Sequence, residues 1–352
     1  MPPESVTDQR NRDEAAAEYL LVEPHAGKLA ILIAGLGPLG TSAVANCLLA
    51  RKRSQSATGQ FTEVVARALP LGLNLPPLPG NLRSPGVPLG DLEFGGWDVF
   101  PENALDTQLL LRVISSAELE SIADEMELVI PRRAVFYPEY VEGFAGSFFK
   151  RGSKAYCMQE LMNDIQAFEE SHGCKRTVVV WCGSTEKTPA HSDSHLGVKQ
   201  FEAGLQADDP AISSSQVYAW AAVRAAAPFV CASPNRCIDF PAIRELARER
   251  KVPLAGENIR AVHPGPGVPE PDLHPPLDDD PKPDWRLAKP QYPIEVTRTT
   301  APLIIDTALW LDLARRAGLA DIQEWLDIYF DNPIHPGSPA AKAAAWAQFL
   351  AR

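Results

Sequence analysis

A glycine-rich turn between a strand and a helix constrains the fold of this chain most strongly. Residues 29–34 (LAILIA) form a continuous apolar run of strand length, and residues 41–50 (TSAVANCLLA) have helical character. The residues between them, 35–40 (GLGPLG), match the pattern GxGxxG. In such a turn the second glycine lets the backbone approach a pyrophosphate, and the helix N-terminus supplies free amides. The pattern predicts dinucleotide binding, and the alternative is a purely structural glycine turn.

Strands and helices alternate along the rest of the chain. Further strands are expected at 177–181, 229–231 and 252–255. Helices are expected at 116–126, 156–171, 213–226 and 240–250, from 301 to a stop at Gly318, at 321–330 and from 338. Residues 51–100 are rich in Gly, Pro and Asn and are expected to form long loops. This alternation predicts an α/β fold with a parallel sheet covered by helices on both faces.

Proline marks one segment of the chain as different from the rest. The sequence contains 33 prolines, and ten of them lie in residues 264–293. Because proline fixes φ and lacks the amide donor, this segment cannot be a regular helix or a central strand. We expect a linker or an extended loop there. Residues 1–27 are polar, contain no apolar core of a signal peptide, and are expected to be a flexible arm.

Composition narrows the classes of function. A formal charge of -12 argues against non-specific binding to nucleic acid or to an anionic membrane, since both require a basic surface. No apolar run approaches the ~20 residues that span a bilayer. The six cysteines contain no CxxC pair and no zinc spacing, which favours reduced thiols in a cytoplasmic protein. We therefore expect a cytoplasmic protein with no nucleic-acid partner, no membrane partner and no metal site.

Polar residues follow two of the expected strands. In an open parallel sheet, ligands bind beyond the carboxyl ends of the strands. Ser184 and Thr185 follow the strand at 177–181 and could donate to a ribose or a phosphate, or they could simply form a turn or a helix cap. Asn235 follows the strand at 229–231 and could bind a nicotinamide amide or a substrate hydroxyl, or it could be a turn residue.

Taken together, these motifs resemble the inositol-3-phosphate (myo-inositol-1-phosphate) synthase family. The matching blocks, in the family's order, are GLGPLGTS (35–42), FGGWDVFPEN (94–103), VFYPEYVEGF (135–144), TVVVWCGSTE (177–186), FEAGLQADDPAISSSQVYAWAAV (201–223), PFVCASPNRCIDFPAI (228–243) and residues 301–333. The resemblance implies a Rossmann-like NAD-binding domain into which a second domain is inserted. It also implies a redox-assisted cyclisation of glucose 6-phosphate, in which lysines stabilise an enolate and shuttle protons.

The positions that match the family's cofactor site are well represented. They are Gly35, Gly37, Leu39, Gly40, Asp98, Ser184, Thr185 and Asn235. The first four correspond to the pyrophosphate turn. Asp98 belongs to the family's GGWD-like block and would replace the acidic residue that Rossmann turns usually carry about 20 positions later. The resemblance thus implies NAD as the cofactor and these eight residues as its binding site.

The positions that match the family's catalytic block have changed. Where the family carries a Lys/Asp-Asp-Phe-Lys block after a glycine, this chain has GENIRAVH (256–263). Arg260 takes the lysine position and Asn258 the aspartate position. Arginine keeps the charge and can grip a phosphate, but it cannot shuttle protons near neutral pH. The family's long lysine-bearing segment is replaced here by the proline-rich stretch.

These departures define the expected domains and function. Residues 28–260 plus 301–352 would form the Rossmann-like domain, and residues 261–300 would be a proline-rich remnant of the inserted domain. We expect a divergent NAD-dependent enzyme acting on a sugar phosphate or related polyol, with Arg260 and Asn258 in its catalytic site and a possible homo-oligomeric state. The alternatives are a genuine myo-inositol-1-phosphate synthase and a non-catalytic NAD-binding paralogue or partner subunit.

Overall fold

The structure, a computed structural model, describes residues 22–53, 87–141, 146–190, 192–261 and 293–331. Most of the N-terminal arm, nearly all of the proline-rich stretch and the helix expected from 338 lie outside the described residues. The proposed division into domains therefore stays a prediction.

The described residues form a seven-stranded parallel sheet. Its strands are β1 (Lys28–Ala34), β2 (Leu92–Asp98), β3 (Arg132–Arg133), β4 (Cys174–Trp181), β5 (Phe229–Cys231), β6 (Pro253–Ala255) and β7 (Asp321–Ile322). Their order in the sheet is β3-β2-β1-β4-β5-β6-β7, and every neighbouring pair is parallel. The predicted α/β fold with a parallel sheet is confirmed.

Helices connect the strands and cover both faces. They are α1 (Pro38–Arg53), α2 (Ala104–Leu111), α3 (Ser116–Ser121), α4 (Ala123–Glu127), α5 (Lys154–His172), α6 (Val198–Gln206), α7 (Ser214–Arg224), α8 (Pro241–Arg250), α9 (Ile294–Thr300) and α10 (Pro302–Arg316). Short 3-10 helices occupy Leu89–Asp91, Pro138–Tyr140, Asp193–His195 and Glu324–Tyr329. No helix in the described ranges combines the length and apolar character of a membrane span.

Each face of the sheet carries its own hydrophobic core. On one face Ile31 and Ile33 of β1 pack with side chains of α1, α2 and α10. On the other face Ala30 and Leu32 pack with side chains of α5, α6, α7 and α8. Because strand side chains alternate between faces, a strand buried on both sides has to be apolar at every position, which explains the unbroken run in β1.

The expectation of loops across residues 51–100 was wrong for its last part, which contains β2. Gly95 and Gly96 suggested a loop, but they serve close packing within the sheet. A Cβ on Gly96 would overlap the carbonyl oxygen of Ile33, and a Cβ on Gly95 would overlap the ring of Phe168. Residues 54–86 lie outside the described part of the chain.

The helix expected at 321–330 was also wrong. Residues Asp321–Ile322 instead form the edge strand β7, followed by the 3-10 helix Glu324–Tyr329. The backbone N–H groups of Asp321 and Gln323 donate to Val252 and Leu254, so pairing with β6 replaces helical bonding. Regular structure also begins before 301, since α9 is helical from Ile294.

Candidate functional site

The strand order reverses between β1 and β4. Connections after β1 and β2 place α1 and α2 on one face, whereas those after β3, β4 and β5 place α5–α8 on the other. The connections that leave the carboxyl ends of β1 and β4 therefore run to opposite faces of the sheet, and this leaves a crevice between the two strand ends. In open α/β sheets, this switch point is where ligands bind.

The glycine turn lies at this switch point. The Gly35 N–H donates to the carbonyl of Trp97 at 2.8 Å, and the Cys182 N–H donates to the carbonyl of Ala34 at 2.8 Å. Gly35 has φ +101°, and a Cβ there would lie 2.7 Å from the amide nitrogen of Gly183. Only glycine allows the end of β1 to pass so close to the segment that follows β4.

Gly37 differs from Gly35 and Gly40 because no described atom lies near the position that its Cβ would take. A Cβ on Gly37 would have no heavy atom of the described residues within 4 Å, whereas one on Gly40 would lie 2.6 Å from the carbonyl oxygen of Gly35. The Leu39 side chain is buried in the core, so only its backbone can face a ligand. The amides of Leu39 and Gly40 begin α1 and have no partner within the helix. This open cradle at a helix N-terminus fits a pyrophosphate.

Asp98 ends β2 directly beside the turn. Its carboxylate accepts the backbone N–H groups of Leu36, Val99 and Phe100, the last at 3.1 Å. Burial raises the pKa of Asp98 to about 7, and these hydrogen bonds oppose the shift. An acidic residue at the end of the second strand is where a Rossmann fold binds the ribose of its dinucleotide. Asp98 thus occupies that place, although it is far from the turn in sequence.

The segments after β4 and β5 are locked together. Ser184 and Thr185 are exposed, and no hydrogen bond from the described residues engages either hydroxyl. Asn235 is buried: its amide donates to the Ser184 carbonyl at 3.1 Å, and its oxygen accepts the Glu186 N–H at 3.1 Å. Ser233 donates to the Gly183 carbonyl at 2.6 Å. Through these two hydrogen bonds, the buried Asn235 side chain holds the backbone on either side of Thr185 and thereby orients the Ser184–Thr185 pair.

The segment after β6 lies at the same end of the sheet, where the carboxyl ends of the strands meet. The N–H of Asn258, which has φ 60°, donates to the Ser233 carbonyl at 3.2 Å. Arg260 donates from its backbone to Tyr329 at 2.7 Å and from Nη2 to the carbonyl of Phe330 at 3.2 Å. Its guanidinium also lies 3.9 Å from the carboxylate of Asp331. The two residues expected to be catalytic thus lie at the carboxyl-terminal end of the sheet, and the side chain of Arg260 is directed toward Phe330 and Asp331.

Two buried carboxyl groups at this edge were not predicted from the sequence. Glu257 is 7% exposed, and its Oε1 has no hydrogen-bond partner among the described residues. Burial and Asp239 raise the pKa of Glu257 to about 8, against the opposing effects of Arg236 and the Cys237 N–H. Glu186 is also buried, which raises its pKa, and it accepts the N–H and hydroxyl of Ser215. Acidic residues just after buried strands are the signal that could have found both.

Comparison with known proteins identifies the family. A family model described as myo-inositol-1-phosphate synthase, built on an NAD-binding domain, matches residues 29–351. The chain belongs to the myo-inositol-1-phosphate synthase family. NAD is accordingly its cofactor, as the resemblance implied.

Individual relatives agree with this assignment. The chain is 26% identical over 398 aligned positions to inositol-3-phosphate synthase 1 of Bacteroides thetaiotaomicron, covering 89% of this chain and 91% of the relative. It is 28% identical over 184 positions to inositol-3-phosphate synthase 1 of Oryza sativa subsp. japonica, covering half of this chain but only 35% of that protein. The crystal structure of inositol-3-phosphate synthase from Caenorhabditis elegans matches with a TM-score of 0.57 at 18% identity, over 68% of this chain and 50% of that one, and supports the fold.

The family assignment does not by itself specify metal ligands or partners. Among the described residues, no group of His, Cys, Asp and Glu side chains is arranged to hold a metal ion. The expected cytoplasmic location and homo-oligomeric state stay predictions, and so do the roles of the individual site residues.

Proposed function

We propose that this protein is an NAD-dependent enzyme that isomerises or cyclises a sugar phosphate or related polyol. The observation that supports this most directly is the meeting of two features at one sheet edge. Gly35, which begins the cradle, lies against Gly183 in the segment after β4, and that segment is hydrogen-bonded through Ser233 to the segments after β5 and β6. A dinucleotide held at the cradle would extend its reactive ring toward those segments, where Asn258 and Arg260 lie.

In this proposal the chain's own residues divide the work. The amides of the glycine turn hold the pyrophosphate, Asp98 accepts the ribose hydroxyls, and Ser184 and Thr185 donate toward the nicotinamide half. When bound, NAD supplies a reversible hydride acceptor. Arg260 binds the phosphate of the substrate, since a planar guanidinium matches that anion bidentately.

Proton transfer needs a group other than Arg260, because a guanidinium stays charged near neutral pH. Glu257 directly precedes Asn258 and lies three residues before Arg260. It is buried, and its pKa is raised to about 8 mainly by that burial. A carboxyl with such a pKa can accept and return a proton at neutral pH. We therefore assign it the acid–base role that lysines fill in the family.

The test is to incubate purified protein with NAD and a panel of sugar phosphates headed by glucose 6-phosphate. The proposal expects NAD to bind and at least one sugar phosphate to be converted. Mass spectrometry and phosphorus NMR of the products would name the reaction. A protein that retains NAD but converts nothing in the panel would contradict the proposal and favour a non-catalytic paralogue.

A genuine myo-inositol-1-phosphate synthase is the second candidate. It is favoured by the match to the Bacteroides thetaiotaomicron protein over 91% of that relative's length. Release of inositol phosphate from glucose 6-phosphate, without net NADH formation, would establish it over the divergent enzyme. The products formed by wild type should be compared with those formed by the Arg260→Lys variant, because this variant restores the residue type expected from the family at that position.

A further inference from the structure

An arginine stands beside Asp98 on the neighbouring strand. In the pairing of β2 with β3, Asp98 is in register with Arg133, and Trp97 is in register with Arg132. Trp97 and Arg132 both bond to Asp164 of α5, at 2.8 Å and 3.4 Å, so both face the α5 side of the sheet. Because side chains alternate along a strand, Asp98 and Arg133 share the opposite face. That face carries the glycine turn.

Arg133 is held in place without being neutralised. Its guanidinium carbon lies 4.5 Å from the centre of the Phe148 ring, in a cation–π contact. The side chain is exposed, and it forms no ion pair with a carboxylate of the described residues. Asp98 is its register partner, but no ion pair joins the Arg133 guanidinium to the Asp98 carboxylate, which accepts backbone N–H groups of residues 36, 99 and 100. The Arg133 donors are therefore available to a ligand.

We propose that Arg133, stacked on Phe148, receives a phosphate on the ribose 2′ position, so that the site binds NADP as well as NAD. The inference rests on the cofactor site at the glycine turn. In dinucleotide-binding folds an acidic residue accepts the 2′-hydroxyl, whereas a nearby arginine accommodates a 2′-phosphate. Here both residue types stand on adjacent strand ends. A guanidinium presents paired donors that match phosphate oxygens.

The negative charge of Asp98 is the main obstacle to binding a 2′-phosphate. The surroundings of Asp98 in the structure reduce this charge. Burial raises the pKa of this carboxyl, with Glu102 adding to the shift, so Asp98 carries less negative charge near neutral pH than an exposed aspartate. Repulsion between the carboxyl and the phosphate is reduced to the same extent. The positive charge of Arg133 opposes what remains.

The experiment is isothermal titration calorimetry of the full chain with NAD, NADP and adenosine 2′-monophosphate. The wild-type protein should bind NADP within about ten-fold of NAD. Arg133→Ala should weaken NADP and adenosine 2′-monophosphate about ten-fold or more, the effect of losing one or two charge-assisted hydrogen bonds, and NAD much less. Arg133→Lys should fall between the two, because it keeps the charge and loses the planar fork.

Arg151→Ala is the matched control. Arg151 is also exposed and also stacks on a phenylalanine, with its guanidinium carbon 5.1 Å from the centre of the Phe149 ring. The variant therefore removes the same charge and the same kind of contact a short distance along the chain. It should leave the affinities for both dinucleotides unchanged.

The outcomes separate this inference from the proposed function. Binding of NAD with NADP weaker by about a hundred-fold or more, which is ~2.7 kcal/mol, would overturn the inference alone. Equal losses in Arg133→Ala and Arg151→Ala would also overturn it, because the effect would then be one of net charge. A protein that binds neither dinucleotide would overturn both the inference and the proposed function.

Discussion

The glycines of the turn play different parts although they belong to one motif. Gly35 and Gly40 are required by the packing of the protein itself, since a Cβ on either would lie within 3 Å of other atoms. On the side where a Cβ of Gly37 would point, the described part of the chain leaves open space. We therefore expect Gly37 to matter to a ligand and not to the fold, which would separate cofactor binding from stability within a single short loop.

We predict that Gly37→Val leaves the protein folded and abolishes most of its affinity for NAD. The Cβ of the added side chain meets no atom of the residues that the structure describes, but the side chain occupies the space in which the pyrophosphate would contact the backbone. Thermal unfolding should stay within about 1 °C of wild type, which is less than ~1 kcal/mol for a chain of this size. Calorimetry should show NAD binding at least about ten-fold weaker.

Gly35→Ala is the counterpart of Gly37→Val. At φ +101° and with a Cβ 2.7 Å from the Gly183 nitrogen, alanine is strained and should lower the unfolding temperature clearly. Full NAD affinity in a well-folded Gly37→Val protein would show that the cofactor does not use the cradle.

We expect Asp98 to link cofactor binding to pH. The ionised Asp98 carboxylate can accept hydrogen bonds from two ribose hydroxyls. The protonated form accepts fewer hydrogen bonds, and its own O–H needs an acceptor. Since the pKa of Asp98 is raised to about 7, the ionised fraction rises across neutral pH. We predict that NAD binding tightens by up to about ten-fold between pH 6 and pH 8, the change in ionised fraction for such a group.

Calorimetric titrations of wild type and Asp98→Asn at several pH values would check this. The variant should bind NAD more weakly at pH 8 and should lose most of the pH dependence. A wild-type affinity that is flat over this range, or a variant with the same slope, would rule out Asp98 as the titrating ligand. Glu102 lies close enough to affect the Asp98 pKa and is the group to examine next.

Helix α10 is fastened to the sheet by a buried ionic network. Asp312 accepts from the Nε of Arg176 on β4 at 2.6 Å and from the Nε of Arg316 at 2.9 Å. The same arginines donate to the carbonyls of Ala26 and Glu23, at 2.6 Å and 2.8 Å. One carboxylate therefore ties a helix, a central strand and the segment before β1 into a single unit.

We predict that Asp312→Ala destabilises the protein by about 3–5 kcal/mol, because it leaves two largely buried guanidinium groups without their counter-charge. Urea unfolding followed by circular dichroism would measure the loss. Glu93→Ala is the control: its ion pair with Lys28 is 2.6 Å long but lies where both side chains are substantially exposed. That variant should cost no more than about 1 kcal/mol, and equal losses would contradict the assignment.

In the whole molecule, the reversal of strand order brings the chemistry together. Residues from the ends of β1, β2, β4, β5 and β6 meet at one edge because all of these strands run in the same direction. The two hydrophobic cores hold the sheet rigid from either face, so the edge segments are free to carry polar groups. Hydrogen bonds between backbone and side chains then lock the segments after β4, β5 and β6 to one another.

Several features could be predicted from the sequence because they depend on neighbouring residues. β1, β5 and residues 178–181 of β4 are continuous apolar runs, α5 and α8 have a helical period, and the glycine turn is a local motif. Other features could not, because they depend on pairing across the chain. β2 resembled a loop since its glycines accommodate Ile33 and Phe168, and β7 resembled a helix since its bonds are made to β6.

By itself, then, the amino-acid sequence determined the fold class, the glycine turn and the family, because each is written in contiguous residues. Only the tertiary structure decided how the site is assembled. Sheet pairing brings Asp98 to the glycine turn and Arg133 to Asp98. Burial turns the Asn235 amide inward to hold Ser184, and burial gives Glu257 its raised pKa. Distances in space and exclusion of water set these properties, and neither can be read from spacing along the chain.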